Sequence, residues 1–202
     1  MNPITYPARP LPGGRFGLLA KPRVHLWSAK LNGWRTLVHV PTGTMWNRHG
    51  EELTISSEFT DALENLSRSR FTWLDCEALE RRHTIGRGSL IVLDQVVPGL
   101  AAHVRYHELL VDATRLGWPV LRHGQKPEAN GVYLLHQAAL SEASPSGKAA
   151  LSVMWAEMQR LNQEWRAEFY EGLVAKREDS PYPIQLRDPD SHCPYWVKHR
   201  WW

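Results

Sequence analysis

Two strand-like runs, residues 24–30 and 35–40, meet at Asn32-Gly33. That dipeptide is a strong short-range signal for a β-hairpin corner, because both residues tolerate the positive φ of a tight turn. A chain that opens on such a corner must build sheet and then cover it. Further strand-like runs follow at 44–48, 71–77, 89–96, 131–136, 174–176 and 195–201. Three segments carry helical periodicity instead. Residues 57–66 open with serines and a glutamate. Residues 104–117 put Tyr106, Leu109, Leu110, Ala113 and Leu116 on one face and reach Gly117. Residues 146–170 align Leu151, Trp155, Met158, Trp165 and Phe169, and this helix is expected to end at Gly172. Residues 1–20, rich in Pro and Gly, read as an irregular lead-in. No repeat or low-complexity linker divides the chain. Strands grouped around a few helices predict an α+β fold.

The 202 residues suffice for one sizeable core, or for two lobes around a cleft. A hydrophobic content of 43% means that the chain folds rather than staying disordered. Cys76 and Cys193 form no CxxC pair, so neither a structural zinc site nor a disulfide framework is implied. The ten histidines show no metal-ligand spacing. The first residues contain no apolar segment of the secretory type. No run of about 18 apolar residues offers a membrane span. The cytoplasm is therefore the expected compartment, and no membrane is expected as a partner. A formal charge of +3 is compatible with nucleic acid without requiring it. Most of the ten tryptophans are expected in the core.

Five short segments stand out, and their order matters more than any one of them. They are Lys30-Leu-Asn-Gly-Trp-Arg35, Asn47-Arg48-His49-Gly50, Leu74-Asp75-Cys76-Glu77, Glu171-Gly-Leu-Val-Ala-Lys176 and Trp196-Val-Lys198-His-Arg200. In this order they resemble the covalent nucleotidyltransferases, the superfamily of ATP-dependent DNA ligases, RNA ligases and mRNA capping enzymes. KLNGWR is similar to the family's first motif, K-x-D-G-x-R, and LDCE to its third. SLIVLDQVV, with Asp94, resembles the strand between the third and fourth motifs. EGLVAK matches the fourth, and WVKHR is similar to the fifth, W-x-K-x-[KR]. The run EGLVAKREDSPYP is closest to the DNA-ligase branch. The resemblance extends from Lys30 to Arg200.

The resemblance implies a ligase-type nucleotidyltransferase (ATP-grasp-like) domain over residues 1–202, with antiparallel sheets and flanking helices around an ATP cleft. It implies that Lys30 attacks the α-phosphate of ATP and carries AMP covalently. Such an amine must be neutral to attack. An unperturbed lysine, with a pKa of about 10.4, is neutral only about once in a thousand at physiological pH. Neighbouring cations lower that pKa, and Arg35, Lys176, Lys198 and bound Mg²⁺ are the candidates. By the same resemblance, Arg35 and Arg48 touch the AMP ribose or the phosphates of the nucleic-acid end. Glu77 contacts the ribose, and Glu171 with Glu77 supplies carboxylate oxygens for Mg²⁺. Lys176, Lys198 and Arg200 grip phosphates, Val174 lines the adenine pocket, and Leu93 stands where many ligases place a stacking aromatic.

Three positions depart from the family pattern. Asn32 replaces the aspartate of the first motif, Cys76 replaces a glycine, and Leu93 replaces the aromatic. Losing that stack weakens nucleotide binding by about 0.5–1.5 kcal/mol. A neutral residue at position 32 also occurs in some RNA ligases, which leaves DNA against RNA open. The sequence ends two residues past the fifth motif, where DNA ligases usually continue into an OB-fold domain. A stand-alone core, a truncated chain and a partner protein supplying the clamp are each compatible with that. The leading expectation is a ligase sealing nicked duplex DNA or RNA with ATP and Mg²⁺. The alternatives are a dedicated RNA ligase and a non-catalytic module that binds ATP or nucleic acid. Each motif also has a plain structural reading. Lys30 would be a hairpin corner, Glu171-Gly172 a helix C-cap, Lys198 and Arg200 a solvated strand face, and Asp75 with Glu77 a surface pair.

Overall fold

The computed structural model describes residues 9–12, 24–47, 49–141, 143–184 and 192–201. The first half contains β1 (Arg9–Pro12), β2 (Val24–Leu31), β3 (Trp34–His39), β4 (Thr44–Trp46), a 3-10 turn (Ser56–Phe59), α1 (Thr60–Leu66), β5 (Trp73–Leu79) and β6 (Ser89–Gln95). The second half contains α2 (Ala102–Leu116), β7 (Val120–Leu121), β8 (Val132–Leu135), β9 (Ala138–Ser141), α3 (Pro145–Trp165), β10 (Tyr170–Arg177) and β11 (His192–Arg200). They form two sheets, ordered β1-β11-β10-β2-β9 and β4-β3-β5-β6-β8-β7.

The Asn32-Gly33 corner is not a β-hairpin. β2 pairs with β10 and β9, and β3 pairs with β4 and β5, so the chain changes sheet at this dipeptide. Gly33 serves close approach instead of a tight turn. A Cβ there would lie 2.8 Å from Glu77 Cγ and 2.9 Å from the Ala78 carbonyl oxygen. Lys30 and Arg35, on either side of the crossing, are thereby placed at the seam between the sheets.

Alternation along the strands decides what each face covers. Leu90, Val92, Val132 and Leu134 of the second sheet pack on Phe59, Ala62 and Leu66 and on Leu109 and Ala113 of α2. Ile91, Tyr133 and Leu135 face the other way, into a core shared with Trp27, Ala29, Leu31, Leu173 and Ala175 of the first sheet and Leu151, Met158 and Leu161 of α3. The second sheet is thus covered on both faces, and the helices flank the pair of sheets. Trp27, Trp118 and Trp196 are buried as expected, while Trp34 is exposed.

Three differences from the sequence expectation have physical causes. The pairs β6–β8, β7–β8 and β1–β11 are parallel, so each sheet is mixed rather than purely antiparallel. The crossover from β6 through α2 makes the β6–β8 pair possible, and the connection over residues 122–131 the β7–β8 pair, since parallel neighbours need a long connection. β1 lies inside the segment read as irregular, and β7 and β9 are too short to announce themselves.

The long helix stops at Trp165, not at Gly172. Ser144 caps its start, accepting from Gly147 N at 3.0 Å, with Pro145 in the first turn. Arg166 ends it in the left-handed conformation, φ +51°. Asn162 then folds the chain back: its amide donates to the Tyr170 carbonyl at 2.7 Å, and its Oδ1 accepts from the Phe169 and Tyr170 N–H groups. Phe169 continues the apolar stripe only in the sequence. Gly172 lies within β10 at φ +145°, and a Cβ there would meet the His199 carbonyl oxygen at 1.9 Å. Gly172→Ala is therefore expected to lose at least about 2 kcal/mol of unfolding free energy. Urea denaturation of the variant checks this, and an unchanged midpoint would contradict the close packing of β10 on β11.

Candidate active site

A cavity of about 560 Å³ opens at the seam between the sheets. That volume is in the range of small-molecule sites. Lys30, Arg35, Glu77, Leu93, Glu171, Val174, Lys176, Lys198 and Arg200 all line it. Every site residue expected from the sequence is thus brought to one cleft, apart from Arg48, which lies outside the described residues. Asp75, His49 and Trp196 join them. Leu93 comes from the second sheet and Val174 from the first, so aliphatic side chains from both sheets meet in the cleft.

Lys30 Nζ donates to Glu171 Oε2 and, at 3.4 Å, to the Leu31 carbonyl. Arg200 reaches the same Glu171 oxygen at 3.0 Å. The position of Glu171 follows from the strand pairing. Tyr170 pairs with Leu31 and Gly172 with Lys30, so Glu171 is the extra residue of a bulge. Bulges re-aim side chains beside functional sites, and this one turns the carboxylate onto the lysine. Glu171-Gly172 is consequently not a helix cap.

A second layer of buried charge lies around the cleft. Arg35 grips Asp75 through two bonds of 2.9 and 2.6 Å, and the Tyr182 hydroxyl donates to the same carboxylate at 3.0 Å. Lys176 Nζ donates to Asp94 at 3.0 Å and to the Leu93 carbonyl at 2.9 Å. Fully buried Arg105, from α2, completes Asp94 with bonds of 2.8 and 3.1 Å and donates to the Ser180 carbonyl at 3.0 Å. The Trp196 ring lies between the two groups, 4.5 Å from Lys176 Nζ and 5.7 Å from the Arg35 guanidinium. Burial alone would raise the Asp94 pKa, but Lys176 and Arg105 outweigh it and hold the carboxyl below its ordinary value. Burial pushes Lys176 down, and Asp94 and Asp75 offset this only in part.

Asp75 and Glu77 are therefore buried and not a surface pair. Arg35, expected on ribose or phosphate, is committed to Asp75 while still lining the cavity. The sequence reading missed Arg105 and Tyr182. Arg105 carried a usable signal, since it falls on the buried stripe of α2 with Ala102, Leu109, Ala113 and Leu116.

Glu77 accepts the Gly33 N–H at 2.9 Å. Burial pushes its pKa up to about 7, and Lys30 and Arg35 hold it back only partly. Asn32 turns away from the lysine, its amide donating to the Glu168 carbonyl at 2.9 Å. Cys76 faces the helices within the second core, where β5 and β6 shift register, and burial raises its thiol pKa. Among the described residues no three His, Cys, Asp or Glu side chains gather as for a protein-only metal cage. Three carboxylates line the cavity, and with Asp75 taken up by Arg35 and Tyr182, Glu77 and Glu171 are the two left for a metal. That donor set fits Mg²⁺, which typically takes one or two carboxylates and completes its shell with waters and substrate phosphates.

Removing Asp94 leaves two buried cations uncompensated, so Asp94→Ala is expected to cost about 3–5 kcal/mol in urea unfolding; a loss below about 1 kcal/mol would contradict the network. Glu77 makes a second prediction. Its folded pKa lies above the unfolded value, so the folded state holds the proton more tightly. Stability is full below about pH 4.5 and is lost as pH rises towards about 7. Wild type should lose roughly 3 kcal/mol more than Glu77→Gln across that window, and parallel pH profiles would show that the carboxyl is not perturbed.

No family model and no curated protein sequence matches the chain significantly. Solved structures do match its fold. A protein named Pmar-Lig superposes with a TM-score of 0.65 at 15% identity, covering 98% of this chain and 47% of that one. Mycobacterial DNA ligase D complexed with ATP gives 0.59 at 19% identity, covering 98% and 60%. Chlorella virus DNA ligase-adenylate gives 0.59 at 15% identity, covering 97% and 69%. The chain spans about half the length of the first and about two thirds of the viral enzyme. At these identities the likeness is one of architecture, and the architecture is the ligase-type nucleotidyltransferase fold.

Proposed function

We propose that this chain is the adenylation core of an ATP-dependent polynucleotide ligase, with DNA as its substrate. One observation carries the reading: Lys30 meets Glu171 inside a cleft that Lys176, Lys198 and Arg200 also line. An amine, a proton acceptor on it and several cations together are what transfer of a nucleotide to nitrogen requires. Two proteins of the same fold add support, one complexed with ATP and the other a ligase-adenylate.

In the first step Lys30 Nζ attacks the α-phosphorus of ATP. A P–N bond forms, the bond to the bridging oxygen breaks, and pyrophosphate leaves. Glu171 is the acceptor for the Nζ proton, since its Oε2 already receives the Nζ–H bond. Lys176 and Lys198 stabilise charge on the phosphates, and Lys176 is held for this by Asp94, which Arg105 in turn fixes. In the second step a 5′-phosphate oxygen attacks the lysine-bound phosphorus, and the P–N bond breaks as Nζ takes back a proton. In the third a 3′-hydroxyl attacks the activated 5′-phosphate and AMP departs. Mg²⁺ held by Glu171, with Glu77 nearby, would neutralise charge on the triphosphate.

Incubating the chain with α-labelled ATP and Mg²⁺ is expected to label wild type and not Lys30→Ala. Glu171→Gln should label about 100-fold more slowly or worse. Label that persists in Lys30→Ala would exclude Lys30 as the nucleophile.

A further inference from the structure

Trp34 stands apart from the other tryptophans. It is 43% exposed, while the remaining described ones are buried or partly buried. The guanidinium of Arg82 lies 5.3 Å from the centre of its ring. Gly33 and Trp34 line the cleft described above, and they also line a second cavity of about 480 Å³. Arg82, His83, Arg166 and Glu168 border that second cavity. Arg82 and Arg166 are exposed, and they come from different loops, one after β5 and the other at the end of α3.

The backbone beneath Trp34 is braced from both loops. The Asn32 N–H donates to the Phe169 carbonyl at 3.0 Å, and its side chain to the Glu168 carbonyl. His83 Nε2 lies 2.5 Å from the Asn32 carbonyl. An exposed aromatic with a cation against it, on a fixed backbone, offers a nucleobase a face to stack on. Two arginines on separate loops suit the phosphodiesters that flank such a base. A protein partner of acidic character would use the arginines without needing the ring.

We infer that the Trp34–Arg82–Arg166 ledge is a polynucleotide subsite, in which Trp34 stacks on a base and the arginines hold adjacent phosphates. This deepens the ligase reading and rests on it for the identity of the strand. Because Trp34 borders both cavities, a strand on the ledge lies beside the Lys30 cleft. The ledge takes an unstacked or terminal base, since a base inside a continuous duplex has no free face.

The test is binding of a fluorescent single-stranded, 5′-phosphorylated DNA oligonucleotide without ATP, by anisotropy, at several salt concentrations. Circular dichroism checks that each variant is folded. Trp34→Ala is expected to bind about 5- to 100-fold more weakly, and Trp34→Phe to recover much of the loss. Arg82→Gln and Arg166→Gln should each lower the slope of log affinity against log salt by about 0.7. Wild-type affinity in all folded variants would overturn the subsite, and so would equal losses in Trp34→Ala and Trp34→Phe. AMP labelling of wild type is read separately. Trp34-dependent binding without label would reject the transfer reading and keep the subsite; label with Trp34-independent binding would do the reverse.

Discussion

Two buried cations and one partly buried cation share two buried carboxylates around the floor of the cleft. Arg105 and Lys176 meet on Asp94, and Arg35 closes on Asp75. Lys176 belongs to the first sheet, whereas Asp94, Asp75 and Arg35 belong to the second. The Asp94–Lys176 pair therefore ties the sheets together where their separation defines the cavity. Such a network is weak evidence for stability, because desolvation of the ions opposes their attraction. Its value is geometric. It fixes Lys176 and Arg35 at the cavity wall and leaves one positive charge more than the carboxylates neutralise. An anionic ligand in the cleft would meet that excess in surroundings where water screens it poorly.

Lys30 is placed by a different device. The chain leaves the first sheet just after Lys30 and enters the second at Trp34, so the lysine sits at the seam instead of on an outer face. Opposite it, the bulge at Glu171 and the close approach of Gly172 to His199 turn a carboxylate into the same space. Both devices convert ordinary strand pairing into a cleft where an amine meets a carboxylate at hydrogen-bonding distance.

The cavity lining was legible in the sequence through the order of the motifs, whose resemblance to the nucleotidyltransferase pattern implied which residues share one cleft. Leu93 and Val174 were legible on the same ground. Local signals mislead where tertiary context overrides them. Asn32-Gly33 signals a hairpin by composition, yet Gly33 answers to the close approach of Glu77 and Ala78. The stripe through Phe169 extends the helical pattern, but Asn162 captures the backbone of Phe169 and Tyr170 and reverses the chain. The plain alternative of a surface pair at Asp75 and Glu77 falls because both are buried. The buried arginine that accounts for Asp94 lies eleven residues away, on a helix. β7, with two residues, has no periodicity to read.

The central claim is that Lys30 accepts a nucleotide covalently, and its most direct test is mass spectrometry of the protein after exposure to ATP and Mg²⁺. The account predicts a protein heavier by one adenylyl group, with the added mass on the peptide that contains Lys30 and released by pyrophosphate. A protein of unchanged mass after saturating ATP, or an adenylyl group mapped to another residue, would contradict it.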